Sequence, residues 1–215
     1  MILDPTLTAA YIVVAAALAV SPGPDVLFVV ANGMRHKAKG AIASALGIGA
    51  GSVVHAIAAA LGVSAVIAAS PVAFDILRYG GALYLAWLGI QALRSFFRNK
   101  TEKGDEVTIT ETSSLAVFRR GLVTNILNPK VVVFYLALLP QFVSVDLGNV
   151  GLQIFLLGCI HNILGLAFLL TVGLAAGKAS DWLATTGFGR WMDGIAGLFF
   201  IGLAVRLAIS GRPEQ

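Results

Sequence analysis

The chain has 215 residues, 58% of them hydrophobic and 12% charged, with a mean hydropathy of +0.87. A soluble globular domain carries about twice that charged fraction, so composition excludes an ordinary soluble enzyme or binding module and indicates a membrane protein. A net charge of +4 and a pI near 9.5 would suit nucleic acid, but the basic residues follow the loops between apolar runs, which argues for membrane topology instead.

In chain order, apolar stretches fall near 7–31, 41–69, 74–93, 117–140, 147–176 and 191–209. A crossing takes about 20 residues, so the expected fold is an all-α membrane protein of six transmembrane helices, surrounded by membrane lipid. The first stretch opens with MILD, an aspartate where a secretory signal has lysine or arginine, and it continues without an evident cleavage site; the expectation is a retained helix. Within it, SPGPD at 21–25 places two prolines, a glycine and a carboxylate inside the apolar run. The stretch then ends in the basic segment 32–40.

The second and fifth stretches each carry one histidine in a glycine-rich setting, GIGAGSVVHA around His55 and LLGCIHNILG around His161. Gly47, Gly51 and His55 recur every four residues, and Gly158, His161, Asn162 and Gly165 form the corresponding stripe, so both histidines should face a packed interior. Between the third and fourth stretches lies the polar segment SFFRNKTEKGDEVTITETSS at 95–114. The fourth stretch is interrupted by ILNPK at 126–130. Phe28, Tyr84, Trp87, Tyr135 and Phe142 read as packing residues or interfacial anchors.

These features recur in register. Pro24 precedes His55 by 31 residues and Pro129 precedes His161 by 32; Arg78-Tyr79 and Arg190-Trp191 open the third span of each half, and Arg94 and Arg206 follow sixteen residues later. The spacing predicts two three-helix repeats, 1–94 and 117–215, joined by a linker at 95–116. An odd number of spans per half inverts the second repeat, and in inverted-repeat transporters the site lies where one broken helix from each half meets the other. Helices 1 and 4, broken at Pro24 and Pro129, occupy those positions. Proline removes a backbone donor and clashes with the preceding turn, and the freed groups are tolerated at membrane depth only inside protein or beside a wet cavity. Taken singly, Asn128-Pro129 also reads as an N-cap with proline at N1, and Asp25 as an acid favoured at a helix start.

Charge sets the orientation. Arg35, Lys37, Lys39, Arg94, Arg98, Lys100, Lys103, Arg119, Arg120, Lys178 and Arg190 lie on or beside the loops of one side, eleven of the fifteen basic residues. The positive-inside bias assigns that side to the cytoplasm and both termini to the outside. Asp25 and Lys130 directly follow the matched prolines. An ionised group at bilayer depth costs roughly 2.5–3.5 kcal/mol, so they either neutralise each other across the repeat interface or bind the ammonium and carboxylate of a zwitterion. The single cysteine, Cys159, excludes an intramolecular disulfide or dithiol relay. No metal-ligand spacing joins it to His36, His55 and His161, and no serine occupies a GxSxG elbow, so no enzyme chemistry is expected. The glycine-rich faces would permit a homodimer.

SPGPDVLFVVANGMRHKAKGAIASALGIGAGSVVHA, RYGGALYLAWLGIQALR and FRRGLVTNILNPKVVVFYLALLPQF together closely resemble the LysE/RhtB superfamily of amino-acid exporters over nearly the whole chain. The resemblance implies a bacterial inner-membrane secondary transporter that expels amino acids or related metabolites in exchange for protons, without a cofactor; a metal-ion or oxyanion exporter is the alternative within the superfamily. By position the first family motif falls on Ser21, Pro22, Gly23, Pro24 and Asp25. The second falls on Asn125, Asn128, Pro129 and Lys130, with Pro140, Gln141 and Phe142 behind. Asp25, His55, His161, Asn162 and Gln141 are the candidates for proton coupling or the pathway. Asp25 departs from the family pattern, which commonly has asparagine there. One acid and one base in the breaks suit a neutral zwitterion better than a dibasic amino acid.

Overall fold

The computed structural model describes residues 2–21, 23–69, 71–97, 113–176 and 188–209. Pro22, residues 98–112 of the expected linker, the loop residue Lys178 and the side chains of Arg190 and Trp191 lie outside the described residues.

The described chain is helical and contains no strand. The helices are α1 (Pro5–Val20), α2 (Pro24–Ala69), α3 (Pro71–Phe97), α4 (Ser114–Ile126), α5 (Pro129–Val133), α6 (Val150–Ala176) and α7 (Phe188–Ile209). A π turn (Phe134–Leu138) and a 3₁₀ turn (Leu139–Phe142) continue α5. Starts follow a common local chemistry. At α1 the Asp4 carboxylate accepts from Leu7 N at 2.9 Å with Pro5 in the first turn, and at α5 Asn128 Oδ1 accepts from Lys130 N at 3.1 Å with Pro129 in the first turn. Each cap satisfies an amide that the helix leaves without an acceptor, and the proline has no amide to satisfy.

Both expected breaks are present. Helix α1 stops at Ser21, whose backbone is extended (φ −65°, ψ 133°), and α2 resumes at Pro24. Helix α4 stops at Ile126, and the segment from Pro129 to Phe142 is bent away from it by 49°. The basic segment 32–40, expected as a loop, instead stays helical on both sides of one residue, Lys37, at φ 56° and ψ −145°. The chain doubles back there because Gly40 lacks a side chain: a Cβ would run into the Asn32 carbonyl oxygen and approach His36 Cβ at 2.6 Å. One residue plus a glycine thus does the work of a loop.

The outside of the protein is apolar and its inside holds the polar groups. Leu27, Leu61, Leu83 and Ile163 are 66–75% exposed, a pattern that lipid stabilises and water would not. Ser21, Asp25, Asn125, Asn128, Lys130 and His161 are buried. By length and composition Pro24–Gly62 and Val150–Ala176 can cross a membrane, and the bent pair Ser114–Ile126 with Pro129–Phe142 makes a third candidate.

Helix α2 packs mainly on α6 and α4, and α3 on α7, while α1 leans on α6. Close approach is possible where glycines meet a neighbour. A Cβ on Gly158 of α6 would lie 2.7 Å from the Ala56 methyl of α2, and one on Gly51 would lie 2.8 Å from Asn125 Oδ1 of α4. The larger hydrophobic core gathers Tyr11 and Leu18 of α1 with Phe134, Tyr135 and Leu157; a smaller one joins Val29, Ala45 and Ile48 to Leu169. Tyr11 belongs to the core because its hydroxyl donates to the Leu157 carbonyl at 2.8 Å, which satisfies the one polar group it carries.

Candidate substrate site at the two helix breaks

The two breaks meet. Lys130, in the first turn of α5, extends its ammonium to the other break, where Nζ lies 3.1 Å from both the carbonyl oxygen and the hydroxyl of Ser21, and 3.5 Å from the Leu18 carbonyl. The Leu18 carbonyl also accepts from the Ser21 amide and hydroxyl, so the donor that the lysine adds matters most at the Ser21 carbonyl, which lies just past the end of α1. Gly23 lines the same contact; a Cβ there would stand 3.2 Å from Nζ. Ser21, expected at the site from its motif, therefore acts through its backbone as much as through its hydroxyl.

Asp25 turns in the reciprocal direction. Its Oδ2 accepts from Asn125 Nδ2 at 2.8 Å, across a sequence separation of 100 residues. Asn125 sits in the last turn of α4, just before the second break. Each ionisable residue thus reaches the polar groups of the opposite break. Of the two readings open for this pair, mutual pairing and the holding of a zwitterion, a direct contact is not found here: no ion pair within 4.0 Å joins Asp25 and Lys130, and Lys130 reaches the Ser21 carbonyl while Asp25 reaches the Asn125 amide. Oδ1 of Asp25 is buried without a hydrogen-bond partner. Such an oxygen costs about 1–3 kcal/mol, more when charged, and marks a position that a donor would fill.

Asp25 and Lys130 line one cavity together with Ser52, Asn125, His161 and Asn162 on its polar side. Its remaining walls are apolar, from Leu18 and Val131 and, on the other side, Val26, Ile48, Leu166 and Leu169. The cavity measures about 40 Å³. A buried water needs roughly 10–15 Å³ by the same measure, so the space as it stands has room for two or three waters.

A second polar layer lies behind this one. His55 Nε2 donates to the Asn125 carbonyl at 3.2 Å, which also accepts from the Asn128 amide at 3.0 Å, and its ring stacks on Tyr135 with centroids 5.7 Å apart. The Tyr135 hydroxyl shares a hydrogen bond of 2.9 Å with Ser52 and donates to the Gly158 carbonyl at 3.3 Å. His161 faces Phe134 at 4.2 Å between centroids, and its Nδ1 is buried without a hydrogen-bond partner.

Most residues expected at the site are brought together and a few are not. Ser21, Gly23, Asp25, Asn125, Lys130, His161 and Asn162 surround or border the cavity. Asn128 is fully buried as the cap of α5, and Pro24 and Pro129 are exposed first-turn residues whose contribution is the break itself. His55 touches the site only through Asn125. Gln141, half-buried in the 3₁₀ turn, does not line the cavity, and its Nε2 has no hydrogen-bond partner. Pro22 lies outside the described residues. Sequence reasoning missed Ser52, although it shares the glycine stripe three residues before His55, and of its two readings of Tyr135, packing or interfacial anchor, the structure bears out packing. A tyrosine in an apolar run gives no sign that its hydroxyl points inward.

An apolar exterior, buried ionisable groups and two helices interrupted at a shared polar cavity define a membrane protein of the translocator class. The chain matches the family model described as LysE type translocator over residues 16–211, and it belongs to that family. It is 32% identical over 199 residues to a protein of Salmonella typhimurium named leucine efflux protein, covering 92% of each chain. A leucine efflux protein of Enterobacter sp. is 33% identical over 201 residues, covering 92% of this chain and 93% of the other. An uncharacterized membrane protein of Bacillus subtilis, YrhP, is 30% identical over 210 residues, covering 94% and 98%. No solved structure matches.

Proposed function

We propose that this protein is a bacterial inner-membrane secondary transporter that exports neutral amino acids in exchange for protons, working as two inverted three-helix repeats, 1–94 and 117–215. The observation that carries the reading is the placement of Asp25 and Lys130, both buried, on one cavity, with Asp25 Oδ1 lacking a donor. An α-ammonium is the donor that suits this oxygen. The carboxylate is assigned to Lys130, which exchanges the Ser21 carbonyl for the substrate. That exchange links occupancy to the shape of the first break, since the freed carbonyl must find another partner or bend the end of α1. The pairing of α2 with α6 and of α3 with α7 supports the repeat, because helices related by a two-fold pack on their counterparts. The leucine efflux relatives and the apolar cavity wall support a neutral, apolar amino acid.

The test is counterflow in proteoliposomes loaded with leucine, homoserine or lysine, with an internal pH indicator. Saturable exchange of a neutral amino acid, accompanied by proton movement of opposite direction, is expected. Exchange of lysine alone, or of none of the three, overturns the reading; amino-acid exchange without pH change overturns the proton coupling.

A further inference from the structure

The cavity has a gradient from polar to apolar that the two charges alone do not use. Along α6 the lining runs His161, Asn162, Gly165, Leu166 and Leu169, and along the facing part of α2 it runs from Ser52 through Gly49 to Ile48. The glycines on the two walls differ. A Cβ on Gly49 would lie 3.4 Å from Asn162 Oδ1 and 3.6 Å from Leu166 Cδ1, whereas one on Gly165 would meet nothing within 4 Å. Gly165 therefore keeps open a space that its own helix packing does not require. Gly158 on the same helix differs: an added Cβ there would stand 2.7 Å from the Ala56 methyl. Asp25, 7% exposed with Oδ1 unpartnered, points to a ligand at the polar end of the same cavity.

We infer that Gly165, which lines the cavity together with Gly49, is the size-determining position of the amino-acid site, and that the substrate side chain lies between α2 and α6 against Ile48, Leu166 and Leu169. The inference rests on the amino-acid reading above and adds where the side chain goes and which residue limits it. With an ammonium at Asp25, the Cα substituent of an amino acid has two ways to turn. One leads to the larger core, filled by Phe134 and Tyr135, which are 0–1% exposed and leave no room. The other leads along the α2–α6 seam, where the glycines lie. At about 40 Å³ the space does not hold a substrate side chain, so binding requires α2 and α6 to move apart. Gly165 then sets how much width is gained, because any side chain there projects into the gap.

Competition by alanine, valine, leucine and phenylalanine for uptake of a transported amino acid into everted vesicles measures the largest side chain accepted. Gly165→Val, and in smaller degree Gly165→Ala, should move that limit downward, weakening competition by leucine relative to alanine by about tenfold or more, the scale on which one methylene is discriminated in an apolar pocket. Gly202→Val is the control, since Gly202 also has nothing within 4 Å of its Cβ but lies on α7 away from the cavity; it should leave the order unchanged. An unaltered order in both Gly165 variants, or equal loss for alanine and leucine, overturns the inference while leaving amino-acid export standing. If Gly165→Val does not reach the membrane, the Gly165→Ala order decides. If no amino acid competes with the unmodified protein, the export reading itself falls.

Discussion

Lys130 Nζ lies 3.1 Å from the carbonyl oxygen of Ser21, so the charge that follows the second helix break closes the backbone of the first. An ammonium can donate three hydrogen bonds, and here they go to the carbonyl and hydroxyl of Ser21 and, at 3.5 Å, to the Leu18 carbonyl. Replacing it by an apolar side chain removes the donor from the Ser21 carbonyl in a buried site. Lys130→Met should lower the thermal stability of the detergent-purified protein by about 1–3 kcal/mol, the cost of unsatisfied buried polar groups, and abolish export. Undiminished stability would show that the lysine does not cap the break.

The Asp25 carboxylate and the Asn125 amide, 2.8 Å apart, should be energetically coupled. A hydrogen bond to a charged group contributes about 1.5–3 kcal/mol, and a double-mutant cycle isolates it. With Asp25→Ala and Asn125→Ala the cycle should give a coupling of that size in unfolding free energy. The Asp25/Lys130 cycle should give less, since those side chains do not touch. The reverse order would restore a direct ion pair as the main interaction.

Pro24 and Pro129 are exposed, so their removal tests the breaks with little change in packing. Alanine at either position supplies an amide and removes the clash that stops the preceding turn. Pro24→Ala and Pro129→Ala should lengthen the helices through the break, withdraw the carbonyls and amides that face the cavity, and reduce efflux while membrane insertion persists. Efflux of the double variant equal to the unmodified protein would reduce both breaks to passive kinks.

Orientation is measured independently of transport. In a Cys159→Ser background, a cysteine at Thr108 should resist an impermeant thiol reagent in intact cells, and one at Gln215 should react. This follows from the six-span reading, which places eleven of the fifteen basic residues on one side, and the positive-inside bias. Labelling of Thr108 with protection of Gln215 would invert the topology.

Composition alone identified a membrane protein, and the matched prolines located both helix breaks, because proline acts on the backbone within one turn regardless of what surrounds it. The Asn128 cap was legible for the same reason: the side chain bonds an amide two residues away. The segment around Lys37 was not, since a reversal made by one positive-φ residue and Gly40 depends on how closely two helical arms pack. Nor was the partner choice of the charges. Sequence placed Asp25 and Lys130 at equivalent positions, and opposite sign suggested that they meet; the fold instead brought Lys130 to the α1 carbonyls and Asp25 to Asn125. Hydrogen bonds between residues about a hundred positions apart are set by the relative placement of helices to within about an ångström. Periodicity fixes which face of a helix points inward, but not what stands opposite that face, and for that reason the cavity, with Ser52 and Tyr135 beside it, became visible only in the tertiary structure.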